Sequence, residues 1–174
     1  MTTRDSQHTI RTLPIAELDE LAPLWRALQD HYAAITPLLG NALARNPEAS
    51  WRNRREKYAK WLTDPDAFVL IAEDAGGPIG YAFVTVGPGY ASWCTGDRMA
   101  TLQSLSVLPD LRGSGIGSEL LDAVEAELRT RGVGDLEITT AATNADAERL
   151  YERRGYTRGF VVYVGSIDEP VVGD

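Results

Sequence analysis

Three glycines in five residues, Gly113-Ser114-Gly115-Ile116-Gly117, stand between a run of strand formers ending at Val107 and an amphipathic helix. A helix start has N–H groups with no intrahelical partner and a partial positive charge, so a backbone stripped of side chains there suits phosphate oxygens. Arg112 can add a full charge. The alternative is a tight strand-to-helix turn that needs glycine only for positive backbone dihedrals. The loop of nucleoside triphosphatases wants Gly-Lys-Ser/Thr, and here Gly117 is followed by Ser118 and Glu119. A dinucleotide fingerprint wants G-x-G-x-x-G; the spacing here is G-x-G-x-G, though Glu137 about 20 residues on keeps that reading open.

Further on, Asn144-Ala145-Asp146-Ala147-Glu148-Arg149-Leu150-Tyr151 begins a capped helix on which Ala147, Leu150, Tyr151 and Arg154 share one side. Asn144 can serve as N-cap and Tyr151 as core. Cys94, beside Trp93, is the sole thiol, and no neighbouring histidine supports it as a nucleophile.

The elements that must position these groups follow from periodicity. Thr9–Leu13 reads as a strand, and Leu18, Leu21, Leu24, Trp25, Leu28 and Tyr32 as one face of a helix with Pro23 near its start. Pro37, Gly40 and Asn46-Pro47 punctuate a loop before a helix over Glu48–Leu62. Phe68–Ala72 and Ile79–Val86 make a hairpin about Gly76-Gly77-Pro78. An irregular loop, Gly87–Asp97, precedes a strand over Ala100–Val107. A helix over Gly115–Arg131, a strand over Leu136–Thr140, a helix over Ala145–Arg154 and a last strand over Phe160–Val164 complete the order.

The 174 residues suit one domain. Residues 1–60 hold 9 basic and 7 acidic side chains while residues 61–174 hold 8 and 18, a balance opposed to nucleic-acid binding. Arg52, Arg54, Arg55, Lys57 and Lys60 fall on an amphipathic helix with Trp51, Tyr58 and Trp61. One cysteine and two histidines make neither a disulfide nor a metal site of usual spacing. No run is apolar enough to span a membrane, and the N-terminus lacks a signal-peptide core, so the expected location is the cytoplasm.

Together, Val107-x-Pro109-x-x-Arg112-Gly113-x-Gly115-Ile116-Gly117 and Asn144-x-x-Ala147-x-x-Leu150-Tyr151-x-x-x-Gly155-Tyr156 resemble the GNAT superfamily of acyl-CoA-dependent N-acetyltransferases. The motifs are dense from Leu102 to Tyr156, and residues 1–66 agree only in layout. The resemblance implies an α/β fold: a mixed, mostly antiparallel sheet with a splayed central strand pair, flanked by helices. It implies one N-acetyltransferase domain over residues 1–166, followed by a short acidic tail, 167–174. The implied reaction moves an acetyl group from acetyl-CoA, the cosubstrate, to a primary amine by direct attack through a tetrahedral intermediate, with no metal. By the same resemblance Arg112, Gly113, Ser114, Gly115, Ile116 and Gly117 hold the CoA pyrophosphate, Leu105, Ser106 and Val107 pair with the pantetheine arm, Asn144 contacts that arm, and Tyr151 protonates the departing thiolate. An amide of Leu105 or Ser106 can stabilise the oxyanion, a contribution of about 3–4 kcal/mol in other enzymes.

The chain departs from the family at the general base. Where members often carry a glutamate on the strand before the glycine loop, it has Gln103 and Ser104. Asp97, Glu137 or His31 acting through water, or an amine that binds already neutral, are the alternatives. The acceptor, a small molecule or a protein amine, is to be chosen by the first two helices and the loop Gly87–Met99, and the acidic surplus favours a cation. Phe160–Val164 is a candidate edge for a homodimer. Two rival readings are a non-catalytic acyl-CoA sensor and a dinucleotide-binding oxidoreductase.

Overall fold

The computed structural model describes residues 8–40, 42–165 and 167. In chain order the elements are β1 (Thr9–Thr12), a 3₁₀ turn (Ile15–Leu21), α1 (Ala22–Ile35), β2 (Leu38–Leu39), β3 (Ala42–Leu43), α2 (Pro47–Trp61), β4 (Phe68–Asp74), β5 (Gly77–Pro88), β6 (Arg98–Val107), α3 (Ile116–Thr130), β7 (Asp135–Ile138) and α4 (Ala145–Arg153). Five strands form one sheet in the order β1-β4-β5-β6-β7, antiparallel except for the parallel pair β6–β7.

Both faces of this sheet are covered, which is why β4 and β5 are nearly continuous apolar runs. Leu70, Ala82, Val84 and Leu102 meet Leu120, Leu121 and Val124 of α3 on one face. Val69, Ile71, Tyr81 and Phe83 meet Trp25 and Leu28 of α1 and Trp51 and Tyr58 of α2 on the other. Helix α3 sits so close to β5 that a Cβ on Gly80 would come within 2.9 Å of the Ser106 carbonyl oxygen and 3.2 Å of Leu120. Leu120→Ala should therefore cost about 2–5 kcal/mol, read as a lower urea midpoint with unchanged slope.

Two features of β6 shape the centre of the molecule. Phe83 pairs with Ser104 and Val84 with Leu102, so Gln103 is an extra residue, a β-bulge. The bulge inverts the alternation. Ala100 and Leu102 face α3, whereas beyond Gln103 it is Leu105 and Val107 that pack on that side, and Ser104 and Ser106 turn to α2 and α1. On its other edge β6 pairs with β7 only from Met99↔Asp135 to Leu102↔Ile138. From Gln103 to Val107 that edge carries no strand among the described residues, and the two parallel strands part as a fork.

The structure differs from expectation in three places. The helix read from Leu18 to Tyr32 is a 3₁₀ turn followed by α1, because Pro23 at the second position of α1 has no N–H to continue a helix from the preceding turn. The loop before α2 contains the two-residue hairpin β2–β3. Phe160–Val164 is not a strand: its side chains are exposed and it joins no sheet. β-Branched residues make a strand only where a partner strand and a core receive them, and Phe160 instead sets its ring against Tyr90 and Trp93. The acidic tail expected at 167–174 lies, Ile167 apart, outside the described residues.

Three members of the basic cluster on α2 are engaged within the chain. Arg55 forms a bidentate pair with Asp19, Arg54 covers the ring of Trp25 and Lys57 that of Trp61. No helix among the described residues is long and apolar enough to cross a membrane.

Candidate active site

Three elements converge on the fork. The first is the free edge of β6. The Tyr58 hydroxyl donates to Ser104 Oγ at 2.6 Å, Ser104 Oγ donates to the Gln103 carbonyl at 2.7 Å, and Ser106 Oγ donates to the Leu24 carbonyl at 3.1 Å. With both hydroxyls turned into the core, Leu105 and Ser106 have their backbone to offer.

The second element is the start of α3. Gly113 and Gly115 hold φ of 79° and 104°, the left-handed region that glycine enters without strain. Gly117 is helical and needs no such freedom, and a Cβ there would come no nearer than 3.8 Å to Leu150 or Val107. Its bareness leaves the first turn open. The Arg112 and Ser114 amides donate to Pro109 and Leu111, and those of Ser118 and Glu119 both donate to the Gly115 carbonyl. The amides of Gly113, Gly115, Ile116 and Gly117 donate to no group among the described residues. Four free N–H groups on bare backbone at the positive end of a four-turn helix fit an anionic oxygen cluster. Ser114 is the exception in the expected set, since its amide and its hydroxyl both return to Leu111. The Ile116 side chain is buried in the core, which leaves only its amide for a ligand. Arg112 stands at the end of β6, its Nε donating to the Val107 carbonyl at 3.3 Å and its Nη1 to His31 Nδ1 at 3.4 Å.

The third element is α4. Asn144 caps it by accepting from the Ala147 amide at 3.2 Å, and Thr143 is hydrogen-bonded to Thr36 at 2.5 Å, tying the start of α4 to the end of α1. Tyr151 packs against the same core as Leu105, Val107 and Leu150. Burial, followed by the neighbouring Tyr32 and Tyr156, pushes its hydroxyl well above the ordinary phenol range. The proton therefore stays on the oxygen at neutral pH, and no side chain among the described residues hydrogen-bonds that oxygen.

At the foot of the fork, on the α2 face, a cleft of about 500 Å³ is lined by Lys60, Trp61 and Asp64, by Thr85 and Tyr90, and by Thr101 and Glu137. Glu137 pairs with Thr101, one step before the last pair of the fork. The Tyr90 hydroxyl donates to the Glu137 carboxylate, and that bond is the main reason the Tyr90 phenol is held above its usual range. Gln103 Nε2 donates to Thr85 Oγ1 at 2.8 Å on the way from cleft to fork. Tyr90 also meets Trp93 and Phe160 edge to face, with centroids 6.0 and 5.4 Å away, so an aromatic cluster stands beside the cleft.

Residues 25–156 match the model of the acetyltransferase (GNAT) family. The chain belongs to that family. It is 33% identical over 127 residues to the aminoalkylphosphonate N-acetyltransferase of Salmonella typhimurium, covering 72% of this chain and 75% of the relative. It is 34% identical over 125 residues to the mycothiol acetyltransferase of Thermobispora bispora, covering 70% of this chain but only 41% of that longer protein. Among solved structures, the aminoglycoside N-acetyltransferase AAC(6')-Iy in complex with CoA superposes with a TM-score of 0.68 at 18% identity, over 97% of this chain and all of that one. A GCN5-related N-acetyltransferase from Ralstonia eutropha gives 0.68 at 21% identity, over 95% and 99%. These likenesses place the splayed sheet within a GNAT fold, and the protein is an acyltransferase of that family.

For this GNAT chain, the residues singled out in sequence lie on the three elements around the fork. Of the alternative bases, His31 is engaged with Arg112 and Asp97 is exposed outside the cleft lining, while Glu137 lies inside the cleft. Sequence reasoning missed the bulge at Gln103, the Tyr58–Tyr81–Ser104 hydroxyl network and the Tyr90–Glu137 pair. A Tyr and a Glu 47 residues apart carry no local signal; only the short Gly-rich character of the loop 87–97 hinted at a site.

Proposed function

We propose that this protein transfers an acetyl group from acetyl-CoA to a primary amine by direct attack through a tetrahedral intermediate. One observation carries the reading: a strand edge without a partner from Gln103 to Val107 runs beside four free amides at the α3 terminus, with the unengaged Tyr151 hydroxyl on the adjoining helix.

In this reading the amides of Gly113, Gly115, Ile116 and Gly117, with Arg112, hold the pyrophosphate, and Leu105–Val107 receive the pantetheine amides as an added strand would be received. Ser114 acts by shaping the loop and Asn144 by starting α4 at the fork. A backbone N–H of Leu105 or Ser106 donates to the oxygen that gains charge as the amine nitrogen attacks. Tyr151 then gives its proton to the leaving sulfur. The catalytic domain is taken as residues 1–166, and its setting as the cytoplasm, where thiols such as Cys94 and CoA stay reduced.

The relatives named for aminoalkylphosphonates and aminoglycosides support a small-molecule acceptor. A thermal-shift comparison of acetyl-CoA, CoA, NAD and ATP tests the cofactor half of this reading. A ligand at 100 times its Kd adds about 2.7 kcal/mol to stability, so acetyl-CoA and CoA should raise the melting temperature by several degrees. A shift from NAD with none from CoA species would overturn it.

A further inference from the structure

Acetyl transfer to an ammonium needs a group that receives the amine's proton and a place where the amine sits. The strand before the glycine loop supplies no base: Gln103 is an amide, and Ser104 is sealed into the core by Tyr58. On the opposite side of the fork the cleft has one carboxylate on the sheet itself, Glu137 of β7. Its register, Thr101↔Glu137, sets it one pair from the point where β6 and β7 part.

What faces Glu137 is informative. The Tyr90 hydroxyl is its only hydrogen-bond partner among the described residues, and the Lys60 ammonium, which shares the cleft, makes no ion pair with it. A hydroxyl donor on an exposed loop marks the carboxylate as ready to accept from something that enters the cleft. The rest of the lining is mixed. Thr85, Thr101 and Asp64 offer hydrogen bonds while Trp61 and Tyr90 offer ring faces, and about 500 Å³ is the size of a small-molecule site.

We infer that Glu137 is the acceptor-side catalytic residue: its carboxylate takes over from the Tyr90 hydroxyl to bind the ammonium of a small, polar primary amine and then removes one of that ammonium's protons. The inference rests on the acetyl-transfer reading and deepens it. The proton from the ammonium passes to Glu137 Oε, and the freed nitrogen lone pair forms the C–N bond to the thioester carbon. The C–S bond breaks with its electron pair on sulfur, which takes the Tyr151 proton. The amide nitrogen's surplus proton returns to the Tyr151 oxygen, and Glu137 releases its proton to solvent. One amine, as its ammonium, and one acetyl thioester thus become an amide, a thiol and a proton. The charged and titratable groups facing Glu137 are Tyr90 from the loop, and Lys60 and Asp64 from the end of α2 and the turn after it.

The test compares wild type, Glu137→Gln and Glu137→Asp for CoA release from acetyl-CoA with ethanolamine, glucosamine and putrescine as probes, from pH 6 to 9. Glutamine keeps the shape and the Tyr90 bond but accepts no proton. With ethanolamine or putrescine it should lower kcat/KM at neutral pH about 100-fold, leave the acetyl-CoA thermal shift intact, and make the remaining rate climb about tenfold per pH unit as free amine appears. Aspartate, one methylene short, should retain the wild-type pH profile at an intermediate rate. Glutamine activity within threefold of wild type with an unchanged pH profile would overturn the role of Glu137 alone. Wild type that binds acetyl-CoA yet turns over none of the probes would overturn small-amine transfer and this inference with it.

Discussion

Tyr151→Phe is expected to lower kcat about 10- to 10⁴-fold while leaving the acetyl-CoA thermal shift within a degree of wild type. The substitution removes one oxygen and keeps the ring that packs against the core shared by Leu105, Val107 and Leu150. Because no side chain among the described residues hydrogen-bonds that oxygen, its loss breaks no structural bond, and a fall in kcat would report on chemistry. Burial and the neighbouring tyrosines hold the hydroxyl above the usual phenol range. The sign follows directly: an acid with a raised pKa keeps its proton, so no activity should be lost to Tyr151 ionisation up to about pH 9. Its proton leaves only when a thiolate develops beside it. Turnover unchanged in Tyr151→Phe would reduce the residue to packing.

The second large effect is expected at Gly115. Gly115→Ala should weaken acetyl-CoA binding about 100-fold, whereas Gly113→Ala should weaken it far less, at a similar cost in stability. Both glycines have positive φ, so a methyl group strains the backbone at either position by about 1–2 kcal/mol. Their positions differ. Gly115 is the N-cap of α3, with its free amide next to those of Ile116 and Gly117 at the end of the helix axis, while a Cβ on Gly113 would enter open space. Isothermal titration with CoA beside urea unfolding of both variants separates the two effects. Equal loss of affinity at both positions would mean that the loop binds through its overall shape, with no special part for the helix terminus.

Much of the candidate site was legible because its signals are local. A phosphate-ready helix start is written in consecutive residues, Arg112 to Gly117, and a capped helix presenting Tyr151 is written in residues 144–156. The hairpin β4–β5 was equally plain, since an apolar run, a Gly-Gly-Pro turn and a second apolar run need no distant information. Phe160–Val164 shows the limit of that logic. Its residues favour extended backbone, yet pairing depends on an edge and a core elsewhere, and the chain uses Phe160 in an aromatic cluster with Tyr90 and Trp93 instead.

By itself, then, the sequence determined the starts of α2, α3 and α4 and the order of the main elements as far as α4, because capping and hydrophobic period act over a few residues. The tertiary structure decided where β6 and β7 part, which way Ser104 and Ser106 face after the bulge at Gln103, and that Tyr90 and Glu137 share a cleft. Those outcomes depend on register between strands distant in sequence. A one-residue change of register moves every following side chain to the opposite face, and no local propensity records it.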